Sequence, residues 1–227
     1  MRLWVDAGEA RRLLRAVGGV ALLVATGDEG RIVIKRPALE AVVEAIKWEG
    51  EGRAAVYADD LAKALPRDGE AELVVGKLGV AVFSTQEKYR RRVLTHRILR
   101  FALVPLADAR EVGKLHIDET GLDTLVLEGD VVRDAAYFAD VLGADAVKLS
   151  ADSGFTIELE GERSGSIVQR EVGAAEEWQA TLPIEALRLA AAIASDYVAV
   201  TPYRRSGEVA GVKFATSTAA ILYAALR

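Results

Sequence analysis

The chain has 227 residues, 51% of them hydrophobic and 28% charged, with a net charge of −5. That is enough for one large domain or two small ones in an ordinary soluble globular protein. The absence of Cys excludes disulfides, thiol chemistry and thiolate metal sites, and leaves His96, His116 and a single Met as the short list of reactive side chains. No apolar run reaches the roughly 18 residues of a spanning helix. The N-terminus MRLWVDAGEARRLL has no signal-peptide core, so the expected setting is soluble and intracellular. The charge is uneven. Residues 1–104 carry 18 Lys and Arg against 14 Asp and Glu, and residues 105–227 carry 11 against 20. The first half is therefore basic and the second strongly acidic. Few thermolabile residues and many Ala, Arg and Glu fit a thermophile.

In chain order, a short strand RLWV precedes AGEARRLLRAV. There Ala10, Leu13, Leu14 and Val17 form the i, i+3, i+4, i+7 stripe of an amphipathic helix, which Gly18-Gly19 ends. ALLVATGDEGRIVIKR reads as a hairpin turned at Asp28 and Gly30. Residues 36–52, RPALEAVVEAIKWEGEG, fit two periods. Leu39, Val42, Val43 and Ile46 have helical spacing, and Val42, Glu44, Ile46 and Trp48 alternate as in a strand. AAVYADDLAKALP is a strand running into a short helix, capped by Asp59 or Asp60 and closed at Pro66. Strand pairs follow in AELVVGKLGVAVFST, and Arg100–Asp123 reads as a connector.

The second half then runs through the same moves. TLVLEG is a strand, and GDVVRDAAYFADVL is a helix with its stripe at Val131, Ala135, Phe138, Ala139 and Leu142. AVKLSADSGFTIELEG repeats the hairpin, with Asp152 and Gly154 standing 124 residues after Asp28 and Gly30. ATLPIEALRLAAAIA repeats the strand and second helix, with Leu182, Glu185 and Leu187 standing 126 residues after Val56, Asp59 and Leu61. Two anchors at nearly the same shift point to an internal duplication. The expected fold is α+β, in two tandem copies with two helices each packed on one face of antiparallel sheets. The expected boundaries are 1–103, a connector over 104–123, and 124–227. Asp28 and Asp152 are turn residues before they are metal ligands. The two His have no ligand partners at useful spacing. No Gly-rich phosphate loop is present, and no nucleophile elbow surrounds Ser206. The residues therefore predict no enzyme activity, no metal and no cofactor.

The whole order, strand–helix–strands–helix–strands twice over, resembles the sliding DNA clamps of archaea and eukaryotes, the proliferating cell nuclear antigen family. GEARRLLRAV and DDLAKALPR resemble its first two helices, RPALEAVV its turn before a strand, and ILYAALR its closing segment. The resemblance implies three two-domain subunits closing a ring around duplex DNA, with sheets outside and helices lining the hole. The ring holds a polymerase and other replication or repair enzymes on DNA, catalyses nothing, and is opened by a separate clamp loader. A related chain could instead serve in a checkpoint ring or as a non-replicative scaffold. A prokaryotic cytoplasmic setting on the nucleoid goes with the family.

DNA-facing cations implied in this way are Arg11, Arg12, Arg15, Lys63 and Arg67, with Arg133 and Arg188 in the second half, where Asp130, Asp134 and Asp140 oppose phosphate. Edge strands near Arg90–Leu99 and Gly165–Val172 would pair subunits, homo- or heterotrimeric, through Val93, Thr95, Arg97, Ile167, Val168 and Arg170. The run KYRRR there reads as a solvated hairpin, a basic edge for an acidic neighbour, or a phosphate contact. The pocket for client peptides would be lined by Val42, Tyr223 and Ala225. Lys35 and Glu40 fall where the family is apolar and Leu226 replaces its proline, which implies an altered pocket.

Overall fold

The computed structural model describes residues 1–90, 93–107, 124–152, 154–169, 176–205 and 207–226, with the side chains of 86–90, 93–98, 168 and 169 outside that description. The chain forms two units, Met1–Lys35 with Ala41–Gly113, and Arg36–Glu40 with Lys114–Arg227. Among the described residues no helix is long and apolar enough to cross a membrane.

In the first unit β1 (Arg2–Asp6) alternates with Leu3 and Val5 buried, and Lys47 Nζ lies 4.6 Å over the ring of the half-buried Trp4. β1 ends in Asp6, whose carboxylate accepts the Glu9 N–H at 2.8 Å and caps α1 (Ala7–Val17). The anticipated stripe Ala10, Leu13, Leu14 and Val17 is buried, and Gly18 at φ 63° terminates the helix. Asp6→Ala removes the acceptor for that first-turn donor. It should cost about 1 kcal/mol, read as a fall in the urea midpoint with an unchanged slope.

β2 (Val20–Ala25), β3 (Gly30–Arg36), β4 (Leu39–Glu44) and β5 (Lys47–Glu49) follow. The ambiguous 36–52 stretch is thus strand twice over. In β4 Leu39, Ala41 and Val43 are buried and their neighbours are not, a period of two that a helix does not give. β6 (Gly52–Tyr57) leads into α2 (Ala58–Ala64). The expected side-chain cap is absent: Tyr57 is the N-cap and makes no side-chain cap bond, while Asp59 and Asp60 lie inside the first turn. Carboxylates there favour the positive end of the helix without capping it. β7 (Glu70–Val75), β8 (Val80–Arg90) and β9 (Val93–Val104) complete the unit. Arg100–Val104 is therefore strand rather than the start of the connector, and residues 108–123 of that connector lie outside the described residues. One sheet runs β5-β1-β7-β8-β9, and β4, β3, β2 and β6 lie side by side in another.

The second unit repeats this order, without a counterpart of β5 among the described residues. It has β10 (Leu125–Glu128), α3 (Gly129–Leu142), β11 (Ala144–Ala151), β12 (Phe155–Gly161), β13 (Gly165–Gln169), β14 (Trp178–Pro183), α4 (Ile184–Ile193), β15 (Tyr197–Arg205), β16 (Glu208–Ala215) and β17 (Ala219–Ala224). Its strands run β13-β12-β11-β14 and β10-β15-β16-β17, so β1, β7, β8 and β9 correspond to β10, β15, β16 and β17. The buried stripe on α3 shares Ala135 and Ala139 with the expected one but takes Val132 and Ala136 in place of Val131 and Phe138. Val132, Ala135, Ala136 and Ala139 are buried, whereas Phe138 is 46% exposed. Both sets have helical period, and the smaller side chains face inward. At the hairpins, Thr26 rather than Asp28 is the counterpart of Asp152. The Thr26 N–H donates to Glu29 O at 2.8 Å and the Asp152 N–H to Gly154 O at 3.0 Å. The structural shift there is 126 at the first residue, which agrees with the second anchor.

Candidate nucleic-acid interface

Each unit packs its two helices together, and the same backbone staple recurs. The Ala7 N–H donates to Gly69 O at 2.8 Å, and the Gly129 N–H to Asp196 O at 2.7 Å. Each staple ties the start of one helix to the chain leaving the other. Four residues further on, an arginine reinforces it. Arg11 Nη1 donates to Leu65 O at 3.2 Å, and Arg133 Nη1 donates to Ala194 O and Ser195 O at 3.0 Å each. Leu65 and Ala194 are the C-caps of α2 and α4, so each guanidinium satisfies a carbonyl left without a partner at a helix end. Sequence reading assigned both arginines only to DNA. The available signal was their equal place in the repeat, 122 residues apart, opposite second helices without a glycine at the C-cap.

The first unit carries a basic face on this frame. Arg12, Arg15, Lys63 and Arg67 are exposed and Arg11 is half-buried. Lys63 Nζ lies 3.4 Å from Asp60 Oδ1, a solvated pair of small energy. Desolvation, then the neighbouring Arg15 and Arg67, draws the Arg11 guanidinium below its ordinary pKa, with Asp68 opposing. The charged arginines thus crowd one another, and an anion would relieve that crowding.

The second unit does not repeat this face. At the 122-residue shift, Asp134 and Tyr137 replace Arg12 and Arg15. Arg133 is further tied to Asp130, and Arg188 donates from Nε and Nη2 to Asp140 Oδ1 at 2.9 and 2.6 Å. Tyr137, Phe138 and Val141 are exposed beside these carboxylates.

The residues named for the client pocket come from both units. Val42, half-buried, belongs to the first unit, and Tyr223 and Ala225 to the second. Tyr223 is 6% exposed. Its hydroxyl donates to Glu185 Oε2 at 3.1 Å, and Arg36 Nη1 donates to Glu185 Oε1 at 3.2 Å. Tyr223 is thus held in a polar triad with Glu185 and Arg36. Burial first, then the Glu185 charge and hydrogen bond, raises the phenol above its ordinary pKa, with Arg36 opposing. A raised folded pKa means that stability is fully present below the unfolded value and is lost as pH rises through the folded one. Thermal melts should therefore fall above about pH 10, and Tyr223→Phe should flatten that alkaline limb relative to the parent.

β9 and β13 are terminal strands in their sheets, as the edge assignment requires. Val93, Thr95 and Arg97 lie on β9 and Ile167 and Val168 on β13. Of these, only the half-buried Ile167 has a described side chain, and Arg170 lies outside the described residues. The KYRRR run and His96 also lie where side chains are not described, and His116, Ser206 and Arg227 lie outside the described residues. Among the described residues no cluster of three His, Asp or Glu could hold a metal ion.

No protein-family model matches the chain, and no curated protein matches it in sequence. Solved structures do match. The chain is 14% identical to a chain of the PCNA2–PCNA3 complex from Sulfolobus tokodaii, with a TM-score of 0.74 and 99% of each chain covered. It is 11% identical to Proliferating Cellular Nuclear Antigen from Entamoeba histolytica, with a TM-score of 0.72 over 100% of this chain and 98% of that one. It is 13% identical to the DNA polymerase III beta subunit from Thermotoga maritima, with a TM-score of 0.67 over 99% of this chain and 64% of that one. At these identities the likeness is one of architecture: along its whole length the chain has the PCNA-like sliding-clamp fold.

Proposed function

We propose that the chain is one subunit of a sliding clamp, a ring that encircles duplex DNA and tethers a polymerase and other replication or repair enzymes without chemistry of its own. The observation that carries this reading is a basic face on the first helix pair and the loop after it, Arg11, Arg12, Arg15, Lys63 and Arg67, on a clamp fold of full length. A sliding ring must meet phosphates without reading bases, and diffuse Lys and Arg do that. Head-to-tail pairing of β9 with β13 of the next subunit would close the ring and cover both edges. Its partners on this reading are double-stranded DNA, sister clamp subunits, a clamp loader and peptide-bearing clients, in a prokaryotic cytoplasm.

Light scattering over a range of concentrations tests the assembly. Three times 24.3 kDa supports a homotrimer, and a stable dimer contradicts a ring. A monomer directs the test to mixtures with sister subunits, where a ternary ring is then required. A second reading, a clamp-like protein scaffold, is favoured by Asp134 and Tyr137 standing where the first unit has Arg12 and Arg15. It predicts assembly without retention on DNA.

A further inference from the structure

A groove of about 830 Å³ opens in the first unit between the end of α2 and the β8–β9 pair. Arg11, Lys63, Arg67 and Arg100 line it, together with Ser84 and Thr85. Asp68 is the single acidic residue among its walls. Four cations stand against one carboxylate among the walls, and among the described residues Lys63 alone of them is paired outside the walls, with Asp60. Arg100 and Thr85 are exposed, and Ser84, 7% exposed, is one of two buried polar or charged side chains among the described residues. Arg100 comes from β9 and faces Ser84 across the β8–β9 ladder. The cationic wall is thus built from two helices, the loop after the second and a strand, and not from one solvated helix face.

We infer that this groove is a discrete phosphate seat, in which Arg100, Arg67, Arg11 and Lys63 enclose one phosphate group and Ser84 and Thr85 offer hydroxyl donors. Guanidinium forks match phosphate oxygens in pairs, and a hydroxyl among them supplies a further donor. The inference rests on the clamp reading for its source, the backbone of duplex DNA. The same chemistry would also take free inorganic phosphate. It adds to the diffuse helix cations a fixed contact that includes a strand residue, Arg100, and so a point where the subunit pauses against the backbone.

The test uses the full chain labelled with ¹⁵N, titrated separately with a short DNA duplex and with inorganic phosphate, following the arginine Nε–H signals. Saturable shifts of Arg67 and Arg100 are expected. Saturation by duplex at lower concentration than by inorganic phosphate assigns the seat to polymer phosphate, and the reverse order assigns it to the free anion. Arg100→Ala should make the slope of log K against log salt for duplex binding shallower by about 0.9, the value of one phosphate contact. Unmoved Arg67 and Arg100 signals with both probes, or an unchanged slope in Arg100→Ala, overturns the seat while leaving the clamp reading intact. Saturable phosphate binding without retention on circular DNA has the opposite meaning: the seat stands and the clamp reading fails.

Discussion

Changing Arg12, Arg15 and Lys63 together to Ala should strip the chain of most of its retention on DNA while leaving its melting temperature nearly unmoved. All three are exposed, so their loss opens no cavity, and the Lys63–Asp60 pair is worth little. Each phosphate contact contributes about 0.9 to the slope of log K on log salt, so the slope should become shallower by up to about 2.7 per subunit. Arg11 is left in place deliberately. Its bond to Leu65 O closes the end of α2, and removing it would mix a folding defect with a binding one. Arg188→Ala, on α4 of the second unit, should alter the slope less, because Asp140 already engages that guanidinium. An unchanged slope in the triple variant would take the DNA-facing role away from the first helix pair.

Gly129→Ala has the largest expected effect on stability, and its sign is opposite to what helix propensity gives. Alanine is better than glycine inside a helix by about 1 kcal/mol, so propensity alone predicts a gain. A Cβ at Gly129, however, would collide with the backbone carbonyl of Ser195, and would also crowd the Arg133 guanidinium at 3.2 Å. The Ser195 carbonyl cannot move alone. Arg133 bonds to it, and the next residue accepts the Gly129 N–H. The staple between α3 and the end of α4 would open, at a cost of about 3 kcal/mol. Gly143→Ala is a useful contrast. No atom lies within 4 Å of its Cβ position, and its cost comes from φ 66° alone. Chemical denaturation of both variants separates collision from backbone strain, and a stabilised Gly129→Ala would show that the staple is not rigid.

Much of this architecture was legible in the sequence because repetition amplifies weak signals. The α1 stripe, the two hairpins and the helix after each AAVY- or ATLP-type strand recur at shifts of 122 to 126 residues, and the strand orders of the two units repeat with them. What the residues hid was local and competitive. Val131 and Val132 both continue a helical period on α3, so only packing could choose between a face carrying Val131 and Phe138 and one carrying Val132 and Ala136. The β4 segment mixes Leu, Val and Glu at spacings that satisfy both periods, and its pairing within a sheet decides it. At the candidate site, the family resemblance drew Arg11 and Arg133 toward DNA. Their bonds to the C-cap carbonyls of the facing helices are long-range contacts that no local pattern displays. The same holds for Glu185, which a sequence reader sees as a helix-start carboxylate but which in the fold joins Arg36 to Tyr223.

The role proposed for the chain is topological, a place in a closed ring around DNA, and one measurement addresses it without reference to any single contact. The labelled chain, with its loader and sister subunits, is loaded onto nicked circular DNA, and its retention is followed before and after one cut that linearises the circle. Encirclement predicts that the chain stays on the circle through a high-salt wash and slides off once an end is made. Equal loss from circle and linear DNA, or equal retention on both, would contradict it.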